Sequence, residues 1–216
     1  MNSLVRLVAC AALTLSAAVA AADPAFDSEL FAIQQAWAVA SYQTPRDGRE
    51  AAFAQLETRA EAFAAANPGR AEALVWEGIV QSSHAGAKGG LGALGLAKKA
   101  RASLEGAMKI DPKVLDGSAY TSLGTLYYKV PGFPLGFGDR DKAQDLLQKA
   151  LAYNPNGIDP NYFYADFLVK EGEYAAALPY LEKAAKAPAR PGREVADKGR
   201  RAEIDALMAT AKAKAA

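Results

Sequence analysis

Cysteine and histidine are almost missing from this chain: one cysteine, Cys10, and one histidine, His84, stand among 216 residues. Cys10 falls in a segment expected to be removed, so the remaining chain has no disulfide, no thiol nucleophile and no thiolate metal site. A lone histidine excludes paired-histidine metal motifs and makes a Ser-His-Asp site a matter of coincidence. No cofactor and no metal is called for, and no catalytic residue can be named. Valine, isoleucine and threonine are scarce, which moves the balance of propensities from strand to helix. A surplus of charge is missing too. There are 25 basic and 24 acidic residues, equal once Arg6 is set aside, and nothing asks for nucleic acid.

What is present begins with two different texts. Residues 1–22 carry Arg6 and then the apolar run LVACAALTLSAAV, followed by small-x-small sites at Ala18-Val19-Ala20 and Ala20-Ala21-Ala22. This is the pattern of an export signal, too short to span a bilayer stably, and it predicts a periplasmic protein without a membrane span after cleavage. Leu7-Val8-Ala9-Cys10 superficially resembles a lipoprotein box, but Arg6 leaves almost no apolar core ahead of Cys10 and the run continues past it. Residues 23–216 form one Ala-rich, helix-favouring text, half of it apolar, long enough to bury a core and short enough for one domain. The expectation is an all-α protein.

Proline divides this text at Asn67-Pro68, Asp111-Pro112, Asn154-Pro155 and Ala187-Pro188, at intervals of 44, 43 and 33 residues. Each mark ends an amphipathic segment. The unit ending at Pro155 carries Tyr120-x2-Leu123-Gly124-x2-Tyr127 and then Ala143-x3-Leu147-x2-Ala150. The next carries Tyr164-Ala165-x2-Leu168, a turn at Glu171-Gly172-Glu173-Tyr174, and Ala177-x3-Leu181-x2-Ala184. Both look like the tetratricopeptide repeat (TPR), whose period is about 34 residues. Gly124 and Ala165 let paired helices approach while large residues at three- and four-residue spacing fill the seam. The unit ending at Pro112 is looser, with Leu74-x2-Glu77-Gly78 beside Trp76; the one ending at Pro68 is degenerate, with only Trp37-x2-Ala40. Pro179 is expected near the first turns of its helix. Residues 194–213 read as a capping helix with Val195, Ala202, Leu207 and Met208 on its apolar side.

The two long units carry extra residues between their helices, SSHAGAKGGLGALG (82–95) and KVPGFPLGFG (129–138), which predicts two insertions on one face. If Tyr120, Leu123, Gly124 and Tyr127 form the seam, then Ser118, Thr121, Thr125 and Tyr128 form a separate stripe. The matching positions are Glu72, Val75, Ile79 and Ser82 before it, and Asp159, Tyr162, Asp166 and Val169 after it. Such a stripe lines the concave groove of TPR-like solenoids. The candidate groove residues are Ser82, His84, Thr121, Thr125, Tyr128, Phe133, Phe137, Tyr162 and Asp166.

The chain as a whole resembles TPR proteins of the bacterial envelope, most closely the TatT-like components associated with TRAP transporters. The stretches that carry this are AGAKGGLGALGLAKKA (85–100), DGSAYTSLGTLYYKVPGFPLGFGDRDKA (116–143) and NPNGIDPNYFYADFLVKEGEY (154–174). The resemblance implies a superhelix of antiparallel helix pairs, homo-oligomeric in some cases, with a cleft for a small ligand or for a transporter's solute-binding protein. Relatives of that type are often lipid-anchored, and the context of Cys10 departs from this.

Several features admit two readings. VPGFPLGFG is a lid or apolar knob presenting Phe133 and Phe137, or a plug over an irregular repeat. His84 titrates against a ligand carboxylate, or is a satisfied structural histidine. GAKGGLGALGLAKK has P-loop glycine spacing, but Leu96-Ala97 stands where Lys-Ser/Thr is required and no strand precedes it. DRDKAQ lacks the glycine and distal glutamate of a calcium loop, so Asp139 and Asp141 are expected to cap a helix, as is Asp159 before Pro160. Lys186, Arg190, Arg193, Lys198, Arg200 and Arg201, offset by Glu194 and Asp197, read as a solvated face or the site of an acidic partner. Function then divides between a non-catalytic periplasmic scaffold holding a protein or peptide partner in its groove, and a small-ligand-binding accessory of a TRAP-type uptake system.

Overall fold

The computed structural model describes residues 23–90 and 92–215; the expected export signal lies outside the described residues. Among these the chain forms nine α-helices and no strand: α1 (Pro24–Tyr42), α2 (Arg49–Ala66), α3 (Ala71–Lys88), α4 (Gly92–Ile110), α5 (Val114–Lys129), α6 (Arg140–Tyr153), α7 (Ile158–Lys170), α8 (Tyr174–Lys186) and α9 (Glu194–Ala215). Each of the four proline marks lies just past a helix end, where it cannot continue the helix. Asp23 caps α1, accepting from the backbone N–H of Ala25 and Phe26, with Pro24 in the first turn. Asp139 caps α6 by accepting from Lys142 N at 3.0 Å.

The helices pair as hairpins, α3 with α4, α5 with α6 and α7 with α8, and the seam has the same construction in two of them. A Cβ on Gly78 would stand 2.6 Å from Leu104 Cγ and 3.1 Å from the Ala100 carbonyl; one on Gly124 would stand 2.8 Å from Leu147 Cγ and 3.2 Å from the Ala143 carbonyl. Leu104 and Leu147 are fully buried in the resulting grooves. Only a glycine on the first helix allows this approach. Pro179 sits at the sixth position of α8, in its second turn, on the exposed side where the freed carbonyl meets water.

The two insertions differ in kind. Residues 82–95 are not a loop: α3 runs on to Lys88 and α4 starts at Gly92, so the extra residues lengthen the hairpin. Ala85 and Ala97 bury against the core, and alanine's helix preference outweighs Gly86 and Gly95, whose α-carbons face open space. Gly89 and Gly90, at φ 65° and 59°, make the tight turn. Residues 130–138 are a true loop, closed at its base by Gly138 N donating to the Pro131 carbonyl and Asp139 N to the Tyr127 carbonyl, both at 2.9 Å. The two insertions meet. A Cβ on Gly136 would lie 3.4 Å from Leu94 Cδ1, and the Phe137 ring lies 4.5 Å beneath the Arg101 guanidinium of α4.

The superhelix closes on itself, because α9 packs on α8 and also reaches α7 and α1. Gly199 lies directly against the Tyr42 ring, Gly192 against Phe31, and Gln35 Nε2 donates to the Gly192 carbonyl. The buried side of α9 is Ala196, Asp197, Arg200, Ile204 and Ala211, not the apolar set expected; Leu207 and Met208 are half-buried and Ala202 is exposed. The arginines expected on a solvated face are therefore partly interior. Arg200 Nε donates to Asp159 Oδ1 at 2.9 Å and its Nη1 to Glu203 at 2.6 Å, and Tyr42 Oη donates to Glu203 at 3.3 Å. Arg190 reaches Asp159 at 2.6 Å and Asp197 at 2.6 Å. Asp159 is thus not the cap expected from the sequence. Gly157 holds that position, and the Asp159 carboxylate, one residue inside α7, points back to two arginines.

Two stability measurements follow. Gly124→Val, which drives a branched side chain into Leu147, destabilises by about 1–3 kcal/mol, lowering Tm by ~2–4 °C per kcal/mol. Burial alone would raise the Asp159 pKa, but Arg200 and Arg190 outweigh it and hold the carboxyl below its ordinary value. Its stabilisation is complete above the unfolded value of about 3.9 and is lost as pH falls through the depressed native value. Asp159→Asn leaves Arg200 short of charge and costs about 3 kcal/mol at pH 7, the lower end for a broken buried pair, because Asp159 keeps some exposure. In urea titrations at pH 7 and pH 3 the wild type loses more stability on acidification than the variant; equal losses refute the assignment.

Candidate functional site

Closure of the helices surrounds a concavity of about 1110 Å³. Alternate helices supply its wall: Trp37 from α1, Trp76, Ile79 and Ser82 from α3, Thr121 and Thr125 from α5, Phe163 from α7. Leu94 of the lengthened hairpin and Pro131 and Leu135 of the loop line it, so both insertions border the same space. The connector after α8 adds Arg190 and Arg193, and α9 adds Arg200.

Among the sequence-derived candidates, Ser82, Thr121 and Thr125 face this concavity. Their hydroxyl protons are partly committed: Thr125 Oγ1 donates to the Thr121 carbonyl at 2.8 Å and Ser82 Oγ to the Ile79 carbonyl at 2.9 Å. The free capacity they offer is as acceptors. Tyr128 and Asp166 pair with each other behind the wall, the phenol donating to Asp166 Oδ2 at 2.6 Å, with Lys129 Nζ on the same oxygen at 2.7 Å. Burial, and then the Asp166 charge, push the Tyr128 hydroxyl far above its ordinary pKa, so it stays a donor. Tyr162 also stands back from the cavity, with Arg200 at 4.4 Å over its ring; burial followed by Glu203 raises its pKa.

His84 is buried away from the concavity, its Nδ1 2.5 Å from Glu57 Oε2, while Lys99 Nζ holds the other Glu57 oxygen at 3.2 Å. Phe133 and Phe137 are separated by the loop's path. Phe133 is 93% exposed at the tip, whereas Phe137 packs edge-on against Tyr127 at 5.5 Å. Among the described residues no group of three His, Cys, Asp or Glu side chains is placed to hold a metal ion, and no helix is long and apolar enough to cross a membrane.

The lining also holds residues the sequence reading did not single out for the site. Trp37 and Trp76 pack edge-on at 5.9 Å, and Trp37 Nε1 donates to Ser83 Oγ at 2.8 Å. Leu115 and Asp116, at φ 48° and 53°, precede Gly117 in a left-handed turn at the rim. Such backbone is costly for side-chain-bearing residues and clusters where ligands are clamped. Arg193 is the unusual cation. Arg190 and Arg200 each have two carboxylates, but among the described residues Arg193 has none within 4 Å. Its Nη1 donates to Gln34 Oε1 at 3.3 Å, its Nε is buried without an acceptor, and its guanidinium lies 5.1 Å from the Trp76 ring centre. Burial, then the neighbouring Arg190 charge, lower its pKa. The Arg190, Arg193, Asp197, Arg200 spacing was a visible signal, charged residues at three- and four-residue steps.

Residues 135–197, from the loop through α6, α7 and α8 into α9, match the family described as Tetratricopeptide repeat. No curated protein matches the chain. Among solved structures it is similar to TTC0263, a thermophilic TPR protein of Thermus thermophilus, with 22% identity and a TM-score of 0.56 over 88% of this chain and 91% of that one. Weaker likenesses are to MamA, at 22% identity and a TM-score of 0.44 over 78% and 92% of the two chains, and to pilF of Pseudomonas aeruginosa, at 16% and 0.35 over 83% and 90%. The likeness to TTC0263 is one of fold. The chain is an all-α helical-repeat protein in which residues 135–197 match the tetratricopeptide repeat.

Proposed function

We propose that this is a non-catalytic scaffold of the bacterial periplasm that binds a segment of an envelope protein or peptide at its concave side. The observation that carries the reading is the concavity itself, lined by indole, aliphatic and hydroxyl side chains from alternate helices, with Leu135, 72% exposed, and Phe133 standing at or beyond its rim. Helical repeats present their inner surface to partners in this way. A prolyl loop, short of conformational freedom, offers apolar contacts at low entropic cost.

The second reading is a small-ligand-binding accessory of a solute uptake system, of the TRAP type that the sequence resemblance implies. The closing contact between α1 and α9 favours it, since a ringed chamber suits a compact ligand better than a long extended strand.

With the protein as bait in envelope extract, capture of a partner falls at least tenfold for Leu135→Asp and for Thr125→Lys, while circular dichroism stays unchanged. Capture that survives both substitutions removes the concavity from the scaffold reading. In a periplasmic fraction, intact-mass measurement finds a chain beginning at Ala21 or Asp23; a chain that keeps Met1 and stays in the cytosol contradicts the location.

A further inference from the structure

The concavity is lined by four cationic residues, Lys129, Arg190, Arg193 and Arg200, and two anionic ones, Asp116 and Asp159. Three of the four cations are answered: Lys129 by Asp166 at 2.7 Å, and Arg190 and Arg200 by Asp159 and by Asp197 or Glu203 at 2.6–2.9 Å. Among the described residues, Arg193 has no carboxylate within 4 Å; Asp159 and Asp197 act on it only from beyond that distance. It is half-buried beside the Trp76 indole, with one long bond to Gln34 and a buried, unsatisfied Nε. Leaving a desolvated guanidinium in this condition is unfavourable unless something supplies the missing anion.

We infer that Arg193 is the carboxylate subsite of this chamber, and that the ligand is a free organic acid whose apolar body lies against Trp37, Trp76, Ile79 and Phe163. The inference rests on the small-ligand reading above and names the ligand's chemistry. A planar guanidinium fork matches a carboxylate in shape and in single charge. A phosphate dianion is disfavoured, because the other guanidiniums lining the chamber are already neutralised and Asp159 and Asp116 would repel the second charge. Most of the remaining lining is aliphatic or aromatic, and the hydroxyls of Thr125 and Ser82 give their protons to backbone carbonyls. Uncharged polar partners are gathered elsewhere on the wall, at Ser118, Ser122, Asn154 and Asn156, and Arg193 is the lining cation without a close carboxylate. The Arg193 guanidinium lies 5.1 Å from the Trp76 ring centre, within reach of a cation–π contact.

The test is calorimetric titration of the mature chain with 4-phenylbutyrate, with its neutral amide, and with inorganic phosphate. The acid binds at least tenfold more tightly than the amide, and phosphate gives no binding. Arg193→Gln, with an unchanged Tm, removes the preference for the acid while the amide binds as before. Arg193→Met serves as a second variant if the first is unstable. Equal binding of acid and amide, an acid preference that persists in a folded variant, or a preference for phosphate each overturns the inference while leaving the chamber as a binding site. If a peptide ending in a phenylalanine carboxylate binds more tightly than 4-phenylbutyrate, the free-acid assignment is wrong and the carboxylate belongs to a chain end. If neither acid nor amide binds, the inference falls. Native mass spectrometry of protein purified from its own periplasm then decides the underlying small-ligand reading separately, by the presence or absence of any retained molecule.

Discussion

The Asp159 carboxylate, held between Arg190 and Arg200, fixes the relation between the two ends of the chain. Without it a superhelix of four helix pairs would have an N-terminal edge, an outer face at α9 and an inner surface open along its length. With it, α7, the connector at 187–193 and α9 form one unit, and Glu203 carries the link on to Tyr42 of α1. Charged groups are an expensive means of joining buried surfaces, and apolar packing of similar volume often does as well. Their retention here is consistent with a second role, since the same connector supplies Arg190 and Arg193 to the wall of the concavity.

Close approach of backbones is the other condition for the chamber. Gly78 and Gly124 bring paired helices together over Leu104 and Leu147, and Gly199 lets α9 meet the Tyr42 ring. Those contacts determine how sharply the array curves, and so whether side chains from α1, α3, α5 and α7 can face a common space. The long hairpin of α3 and α4 and the prolyl loop after α5 then raise one border of that space, meeting where Leu94 lies against Gly136. Helix pairing, curvature and a bordered chamber form a single causal chain from sequence to site.

Much of the architecture was legible in the residues. Proline spacing marked the helix ends, the small residue in each Tyr-x2-Leu-Gly or Tyr-Ala-x2-Leu pattern marked the seam, and Asp139 announced a cap. The site was less legible. Ser82, Thr121 and Thr125 follow from helical spacing and do line the cavity, but Tyr128, Asp166 and Tyr162 lie one layer back, because α5 and α7 are rotated so that Tyr128 meets Asp166 and the Tyr162 ring meets Arg200. The glycines of residues 82–95 suggested a loop, since local composition does not tell that Ala85 and Ala97 have a core to bury against. Arg190 and Arg200 have local carboxylates, Asp197 and Glu203, but they and Arg193 read as solvated because their other partners lie far away in sequence: Asp159 is 31 residues from Arg190 and 41 from Arg200, and Gln34 is 159 from Arg193.

Joining the first helix to the last has an evolutionary corollary. Linear solenoids grow by tandem duplication, because a new unit docks on an end that is still available. Here the interface that would accept it, Tyr42 against Gly199 and Phe31 against Gly192, is already occupied from within the molecule. A further unit docking at that interface would have to displace this contact, whereas substitution along the inner wall changes what the concavity presents and leaves the contact intact.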